Sequence, residues 1–368
     1  MVEQMCELPP LSLYIHTPWC VRKCPYCDFN SHEPHHDKLP EAAYLEALLE
    51  DFRQDLPLAA GRPLAAIFIG GGTPSLLSPE FYQELLSAID SQLPFAADIE
   101  ITLEANPGTT EQERFHGYRK AGINRLSLGV QSFQPEQLAA LGRIHSGDEA
   151  IKAVAQARAA GFDNINIDLM HGLPGQTVDG AMADLNQALA LAPEHLSWYQ
   201  LTLEPNTAFH SAPPVLPHEE ILWDIQDAGH EVLEQAGLKR YEISAYSTPD
   251  KPSRHNLNYW QFGDYMGIGA GAHGKFSHIT RDGQWIIERR WKTRQPDAYM
   301  QRRGDMRGFL AGKRAIPERE LPLEFAMNAL RLSDGVPMAT WQTHTGQPLD
   351  ALTQTLESAS KKGLLEET

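Results

Sequence analysis

Cysteine is scarce in this chain of 368 residues. Only four are present, and Cys6 stands apart from the other three, Cys20, Cys24 and Cys27. So few thiols, so unevenly placed, exclude a disulfide framework and fit a reducing compartment where thiolates serve a metal. Positive charge is also short: 31 Lys and Arg stand against 48 Asp and Glu, a formal net charge of -17. That argues against a general nucleic-acid binder, which needs a basic face to neutralise phosphates. No apolar run approaches the roughly 20 residues of a membrane-crossing helix. The first eleven residues hold Glu3, Glu7, Pro9 and Pro10 and no apolar stretch, so no signal peptide is expected. These absences lead us to expect a cytoplasmic protein, with peripheral membrane contact left open. There is no internal repeat and no low-complexity tract. Apolar material is ample, at 42% of residues, and the length suits one large domain with a smaller one.

What is there centres on Cys20-Val21-Arg22-Lys23-Cys24-Pro25-Tyr26-Cys27, a C-x3-C-x2-C spacing. Three thiolates can hold three irons of a [4Fe–4S] cluster and leave the fourth iron free for a chelating small molecule. Zinc is the competing reading. Structural zinc takes four protein ligands, usually from two close pairs. No second cysteine pair exists, although His32, His35 or His36 could complete a zinc site. Arg22 and Lys23 can offset thiolate charge, and Pro18 and Pro25 restrict the loop backbone.

The first 200 residues alternate short, near-continuously apolar runs with helical patterns. Strands are expected at Leu11–His16, Ala65–Ile69, Ile99–Glu104, Arg125–Gly129, Asn164–Leu169 and Leu196–Leu201. Helices are expected at about 41–56, 79–91, 111–121, 148–160, 177–191 and 219–236. Ser78 and Thr110 read as caps, and Gly122, Gly161 and Gly237 as stops. Such alternation implies parallel strands with right-handed crossovers. Six units suggest an open, partial barrel; a doubly wound sheet fits the pattern too. Polar and glycine-rich residues recur where strands should end: Tyr14 and His16, Gly70–Thr73, Glu104–Pro107, Gln131, Asp168–Pro174 and Glu204–Pro205. In parallel barrels that rim builds the active site. Further on, 279–292 reads as a hairpin around Asp282-Gly283, Arg302–Arg314 as a mobile connector, and Leu321–Leu332 and Leu349–Lys361 as helices. We therefore expect an α/β chain of three parts: a barrel over 1–237, an extension over 238–296, and a small, mainly helical accessory domain over 297–368.

Tyr14-Ile15-His16-Thr17-Pro18-Trp19-Cys20 and Cys24-Pro25-Tyr26-Cys27-Asp28-Phe29-Asn30 resemble the cluster loop of radical S-adenosylmethionine (SAM) enzymes. More narrowly, the chain resembles the family of oxygen-independent coproporphyrinogen III oxidase and its heme-chaperone relatives. The likeness runs on, in order, through Gly70-Gly71-Gly72-Thr73-Pro74, Glu104-Ala105-Asn106-Pro107-Gly108, Gly129-Val130-Gln131-Ser132, Gly142-Arg143, Asp168–Pro174 and His255-Asn256-Leu257-Asn258-Tyr259-Trp260. It implies a partial (β/α)6 radical-SAM barrel. Cys20, Cys24 and Cys27 would ligate a [4Fe–4S] cluster whose open iron is chelated by SAM, reduced by an external electron donor. Gly71, Gly72 and Thr73 match the site for the SAM amino group. Arg143 matches the position facing the SAM carboxylate. Tyr14, Glu104, Gln131 and Asp168 match positions around its other parts, with Thr202 a weaker candidate. His255 matches a heme ligand, with His273 second, while His16, His145 and His171 are assigned to the SAM pocket or to structure.

Two branches of that family are separable on this sequence. The oxidase branch carries a fourth cysteine two residues after the third; here that position is Phe29. It also carries a longer segment ahead of the cluster, whereas 19 residues precede Cys20 here, and relatives often continue beyond the equivalent of Thr368. The expectation is a heme chaperone that binds heme, cluster and SAM and passes heme to acceptor proteins. Membrane-associated respiratory hemoproteins are the implied recipients, and a homodimer is admitted. The alternative is coproporphyrinogen III oxidase, which decarboxylates two propionates to vinyl groups.

Overall fold

A computed structural model of the chain describes residues 7–34 and 38–364. Cys6, His35 and His36 lie outside them. Six strands run parallel: β1 (Leu11–Thr17), β2 (Leu64–Gly71), β3 (Phe95–Ala105), β4 (Arg125–Gln131), β5 (Ile165–His171) and β6 (His195–Gln200). Between and after them lie α1 (Glu41–Asp55), α2 (Pro79–Asp90), α3 (Thr109–Lys120), α4 (Pro135–Ala140), α5 (Gly147–Ala159), α6 (Val178–Ala190), α7 (Ala208–Ser211) and α8 (Glu219–Gln235). The order β1 to β6 is unbroken across the sheet. This is the six-unit partial barrel, and the doubly wound alternative is excluded because no strand order reverses within it.

Local signals act as expected at several ends. Ser78 Oγ accepts from the Phe81 N–H at 3.3 Å and caps α2. Ser146 and Glu149 form a reciprocal capping box on α5. The third helix opens at Thr109, with Gly108 rather than Thr110 as its cap. Strand faces are buried on both sides, as the runs Leu11–Ile15 and Leu126–Val130 require, and their side chains join one core with α1, α2, α5 and α6.

The rest of the chain extends both edges of this sheet. On one side β6 pairs with β8 (Ala245–Ser247), and β8 with β7 (Lys239–Glu242). After α9 (Arg254–Trp260) the chain crosses to the other side, where β9 (Asp264–Ile268) lies parallel to β1. Then come β10 (His273–Ile279), β11 (Trp285–Lys292), α10 (Pro296–Met300) and β12 (Leu310–Ala315), giving one sheet of twelve strands among the described residues. The 279–292 hairpin is present, turning with Gly283 at φ +82°. One expectation needs correction. Arg302–Arg314 is not a connector throughout, because β12 pairs with β11 and adds the last strand. The His255–Trp260 motif lies on a helix, capped by the Ser253 hydroxyl. The chain ends in α11 (Leu321–Ala329), α12 (Met338–Thr345) and α13 (Leu349–Lys361). Phe325, Trp341 and Leu352 pack there against Phe262 and Ile287, so these helices share a second core with the sheet extension.

One buried ionic knot holds the crossing in place. Asp264, on β9, pairs with Lys275 at 3.1 Å and with Arg62 at 2.8 Å, and accepts from the Ser277 N–H and hydroxyl. Removing one partner leaves a buried charge partly uncompensated, so Lys275→Met should destabilise the protein by about 3 kcal/mol. Urea unfolding measures it, with Lys239→Met, on an exposed pair with Asp334, expected near wild type.

Candidate functional site

The cysteine loop leaves β1 and folds back on it. Trp19 and His32 form a bridge, the Cys20 N–H donates to His32 O at 3.0 Å, and the Cys27 N–H donates to Cys24 O at 3.2 Å. The loop is fastened to the end of β2. The Gly72 N–H donates to Thr17 O at 2.7 Å and the Thr73 N–H to Trp19 O at 2.6 Å. A Cβ on Gly72 would lie 2.4 Å from Trp19 O, and one on Gly71, whose φ is +112°, would lie 2.4 Å from His16 Cε1. The close approach these glycines permit is therefore first of all to the protein's own loop.

Side chains that follow β2 and α4 then reach the sulfurs. Thr73 Oγ1 donates to Cys20 Sγ at 3.5 Å and accepts from Asn106 Nδ2 at 3.1 Å. Arg143 gives Nη1 to Cys24 Sγ at 3.6 Å and Nη2 to Asn106 Oδ1 at 2.6 Å and Gly129 O at 2.7 Å. Burial pushes the Cys20 thiol up, while the donors Thr73 and Ser31 pull it back. A ligand must be a thiolate, so donors at sulfur support ligation.

The three thiols share one cavity of about 380 Å³ with Gly71, Gly72, Thr73, Glu104, Gln131, Arg143 and Asp168. Among the described residues no three His, Cys, Asp or Glu side chains converge as a single metal ion requires. Three thiols lining one cavity can each take a different corner of a four-iron cluster and leave the fourth iron open.

Below the rim the lumen is polar. Asp168 accepts from Ser127 Oγ at 2.9 Å and from Asn166 Nδ2 at 2.8 Å. Asn166 Oδ1 lies 2.6 Å from His195 Nδ1, and His195 Nε2 lies 2.9 Å from the Tyr241 hydroxyl. Because Asn166 Oδ1 can only accept, this network assigns the proton to Nδ1, leaving Nε2 to accept from Tyr241. Gln131 sits at φ +68°, where a bulge turns it inward, and its Oε1 accepts from Tyr199 at 2.7 Å. Glu104 accepts from the Gly71 N–H at 3.1 Å. Burial, then the charge of Asp168, pushes the Glu104 carboxyl up to about 8.

Other expected residues stand elsewhere. Tyr14 does not line the cavity; its hydroxyl lies 2.9 Å from His16 Nδ1, and its ring stacks on Phe68. His16 Nε2 is held by Asn30 O at 2.8 Å. His255 is 3% exposed, with its ring 4.9 Å from Phe68 and 4.4 Å from Tyr259. The position matched to a heme ligand is thus turned inward by α9 against β2. His273 is exposed beside Trp291. Thr202 is exposed and donates to Glu204. His145 bonds Val130 O, and His171 packs on Trp198. Sequence reasoning missed Ser127, Asn166, Ser197 and Tyr199. Their signal was present: polar residues at alternate positions of β4, β5 and β6, which share one face of a strand.

A partial barrel carrying a C-x3-C-x2-C loop at its rim, above a polar lumen, defines a radical SAM protein. The Radical SAM superfamily matches residues 14–188, and the HemN C-terminal domain matches residues 316–368. The chain is 51% identical to the heme chaperone HemW of Escherichia coli, covering 99% of this chain and 93% of that protein. Identity is 49% to heme chaperone HemW of Haemophilus influenzae, over 99% and 93%. It is 36% to radical S-adenosyl methionine domain-containing protein 1, mitochondrial, of Bos taurus, over 90% and 75%. The solved coproporphyrinogen III oxidase HemN of Escherichia coli shares the fold, with a TM-score of 0.80 at 24% identity over 98% of this chain and 85% of that one. The chain belongs to the radical SAM superfamily and, within it, to the HemW family. Among the described residues no helix is long and apolar enough to cross a membrane.

Two measurements address the site. Cys20→Ala, Cys24→Ala and Cys27→Ala should each abolish the visible absorbance gained on anaerobic reconstitution with iron and sulfide, while Cys6→Ala should retain it. Loss in Cys6→Ala would displace the ligand assignment. The second concerns Glu104. Folded, it holds its proton up to about 8; unfolded, it releases it near 4.5. Its contribution is complete below 4.5 and is lost as pH rises toward 8. The stability of wild type relative to Glu104→Gln should therefore fall across that window in apoprotein melts, and a flat difference would refute the shift.

Proposed function

We propose that this chain is a heme chaperone that holds a [4Fe–4S] cluster and SAM, takes up heme and passes it to acceptor hemoproteins. The observation that carries the reading is the 51% identity, over 99% of the chain, to a protein named heme chaperone HemW. Phe29, where the oxidase branch has its fourth cysteine, supports it. The oxidase alternative rests on the fold of HemN at 24% identity, and fold alone does not assign activity.

In this reading Cys20, Cys24 and Cys27 hold the cluster, with Thr73 and Arg143 donating toward two of the sulfurs. SAM occupies the shared cavity. Gly71, Gly72 and Thr73 border its amino end, and the Arg143 guanidinium suits its carboxylate. Glu104, Gln131 and Asp168 serve the remainder, since each has oxygen lone pairs to accept from hydroxyls. When bound, the cluster supplies an electron and SAM supplies a reducible sulfonium; the chain orients both and limits water. Tyr14 acts through His16, which it fixes beside Gly71. A histidine ligand to heme must present an accessible imidazole. His255 offers an orphaned Nδ1 only if α9 moves off Phe68 and Tyr14, whereas His273 is accessible as it stands. The same reading includes membrane-associated respiratory proteins as acceptors, an external electron donor, a cytoplasmic location and a homodimer as the transfer form.

Anaerobic reconstitution followed by heme titration, with a porphyrinogen assay on the same sample, tests this. A saturable Soret band without protoporphyrinogen IX is expected. Turnover of coproporphyrinogen III without heme retention would replace the chaperone by the oxidase. Loss of the band in His255→Ala, with His273→Ala unchanged, would assign the iron to His255 and require α9 to open; the reverse pattern would assign it to His273.

A further inference from the structure

A glycine-rich turn at 269–272 joins β9 to β10 beside the end of β1. It is fixed from within: the Gly269 N–H donates to the Tyr299 hydroxyl at 3.1 Å, and the Ala270 N–H to the Tyr44 hydroxyl at 3.2 Å. Tyr44 in turn donates to His16 O at 2.6 Å, so the turn and β1 share one buried phenol. Against this turn lies Asn30, from the exit of the cysteine loop. Asn30 Nδ2 donates to Ala270 O at 2.9 Å and to Arg294 O at 2.8 Å. Two carbonyls around the nitrogen assign the amide orientation, and Oδ1 then accepts from His32 Nε2 at 3.2 Å. The backbone O of Asn30 lies 2.8 Å from His16 Nε2. Gly271, at φ +83°, leaves room for the amide: a Cβ there would lie 2.4 Å from Asn30 Nδ2.

The cysteine loop is thus gripped at both ends. Gly72 and Thr73 hold its entry at Thr17 and Trp19, Asn30 holds its exit, and all three thiols lie between. The two residues flanking Asn30 act on sulfur. Burial raises the Cys20 and Cys27 thiols, and hydrogen bonds oppose it, from Thr73 and Ser31 at Cys20 and from the Phe29 backbone at Cys27. An amide that spends both its N–H groups on carbonyls of another element does no chemistry of its own. It fixes the backbone on either side of it. Hydrogen bonds to the sulfurs of a cluster stabilise its reduced, more negative state and so raise its potential.

We propose that Asn30 is a positioning residue for the cluster. By locking the loop exit onto the 269–272 turn it holds Phe29 and Ser31 against the sulfurs of Cys27 and Cys20, and so raises the reduction potential of the cluster they ligate. The glycine-rich turn is the seat for this contact, 240 residues along the chain from Asn30. The inference rests on ligation by Cys20, Cys24 and Cys27 and not on heme transfer.

Full-length wild type, Asn30→Ala, Asn30→Asp and Gly271→Ala are reconstituted anaerobically with iron and sulfide. The potential is read from the EPR signal of the reduced cluster in mediated titrations without SAM. Gly271→Ala disturbs the same contact from the far side and leaves the cysteine loop's own sequence intact, so it decides alone if Asn30→Ala takes up no cluster. Gly283→Ala, also at positive φ but facing open space, is the control. Asn30→Ala and Gly271→Ala should shift to a more negative potential and hold iron against a chelator about tenfold less tightly than wild type. Asn30→Asp, which keeps the size and loses both N–H donors, should follow Asn30→Ala, whereas a side chain that only fills space would be rescued by it. Gly283→Ala should match wild type. A potential unchanged or raised in Gly271→Ala, or restored in Asn30→Asp, would overturn the inference. A wild type that takes up no cluster would overturn the ligand reading beneath it, and the inference with it.

Discussion

Two backbone hydrogen bonds, from Gly72 to Thr17 and from Thr73 to Trp19, fasten the cysteine loop to the barrel rim. The arrangement of the site depends on that contact. It exists because Gly71 and Gly72 have no Cβ: any side chain would collide with His16 or Trp19. Once the loop is seated, Thr73 lies against Cys20 and Arg143 against Cys24. Both side chains also bond Asn106, at the end of β3, so one amide ties the two sulfur contacts together.

The lumen beneath shows how a barrel can be polar inside without losing stability. Ser127, Asn166, Asp168, His195, Ser197 and Tyr241 satisfy one another in a connected network. Such networks specify a single arrangement when every member is paired. Among the described residues Arg125 Nε, Trp260 Nε1 and Arg331 Nε are buried without an acceptor, and so are Gln176 Nε2 and Trp285 Nε1, whose residues do not line the cavity. The orphaned Nδ1 of His255 sits within an aromatic stack, where burial pushes its pKa down to about 3.

Much of the architecture was legible because parallel strands buried on both faces read as apolar runs, and Ser78 and Gly161 punctuate them. The rim residues were legible for a topological reason: in a parallel barrel every strand end faces the same side. Other features could not be read. The twelve-stranded sheet depends on β9 crossing to pair with β1, a long-range choice secured by Asp264 with Lys275 and Arg62. The strand at Leu310–Ala315 hid within a basic, glycine-containing stretch whose pairing with β11 outweighed its weak strand character.

By itself the sequence determined the three-thiol loop, the six-unit alternation and the family, since spacing, periodicity and motif order are local or collinear properties. Only the tertiary structure decided which side chains meet. It turned His255 inward on α9, bound the Tyr14 hydroxyl to His16, and brought Arg331 from the C-terminal segment to the lumen that Arg125 enters from β4. The physical reason is that burial and hydrogen-bond satisfaction are settled between elements distant in the chain, and no local pattern of residue types records those partners.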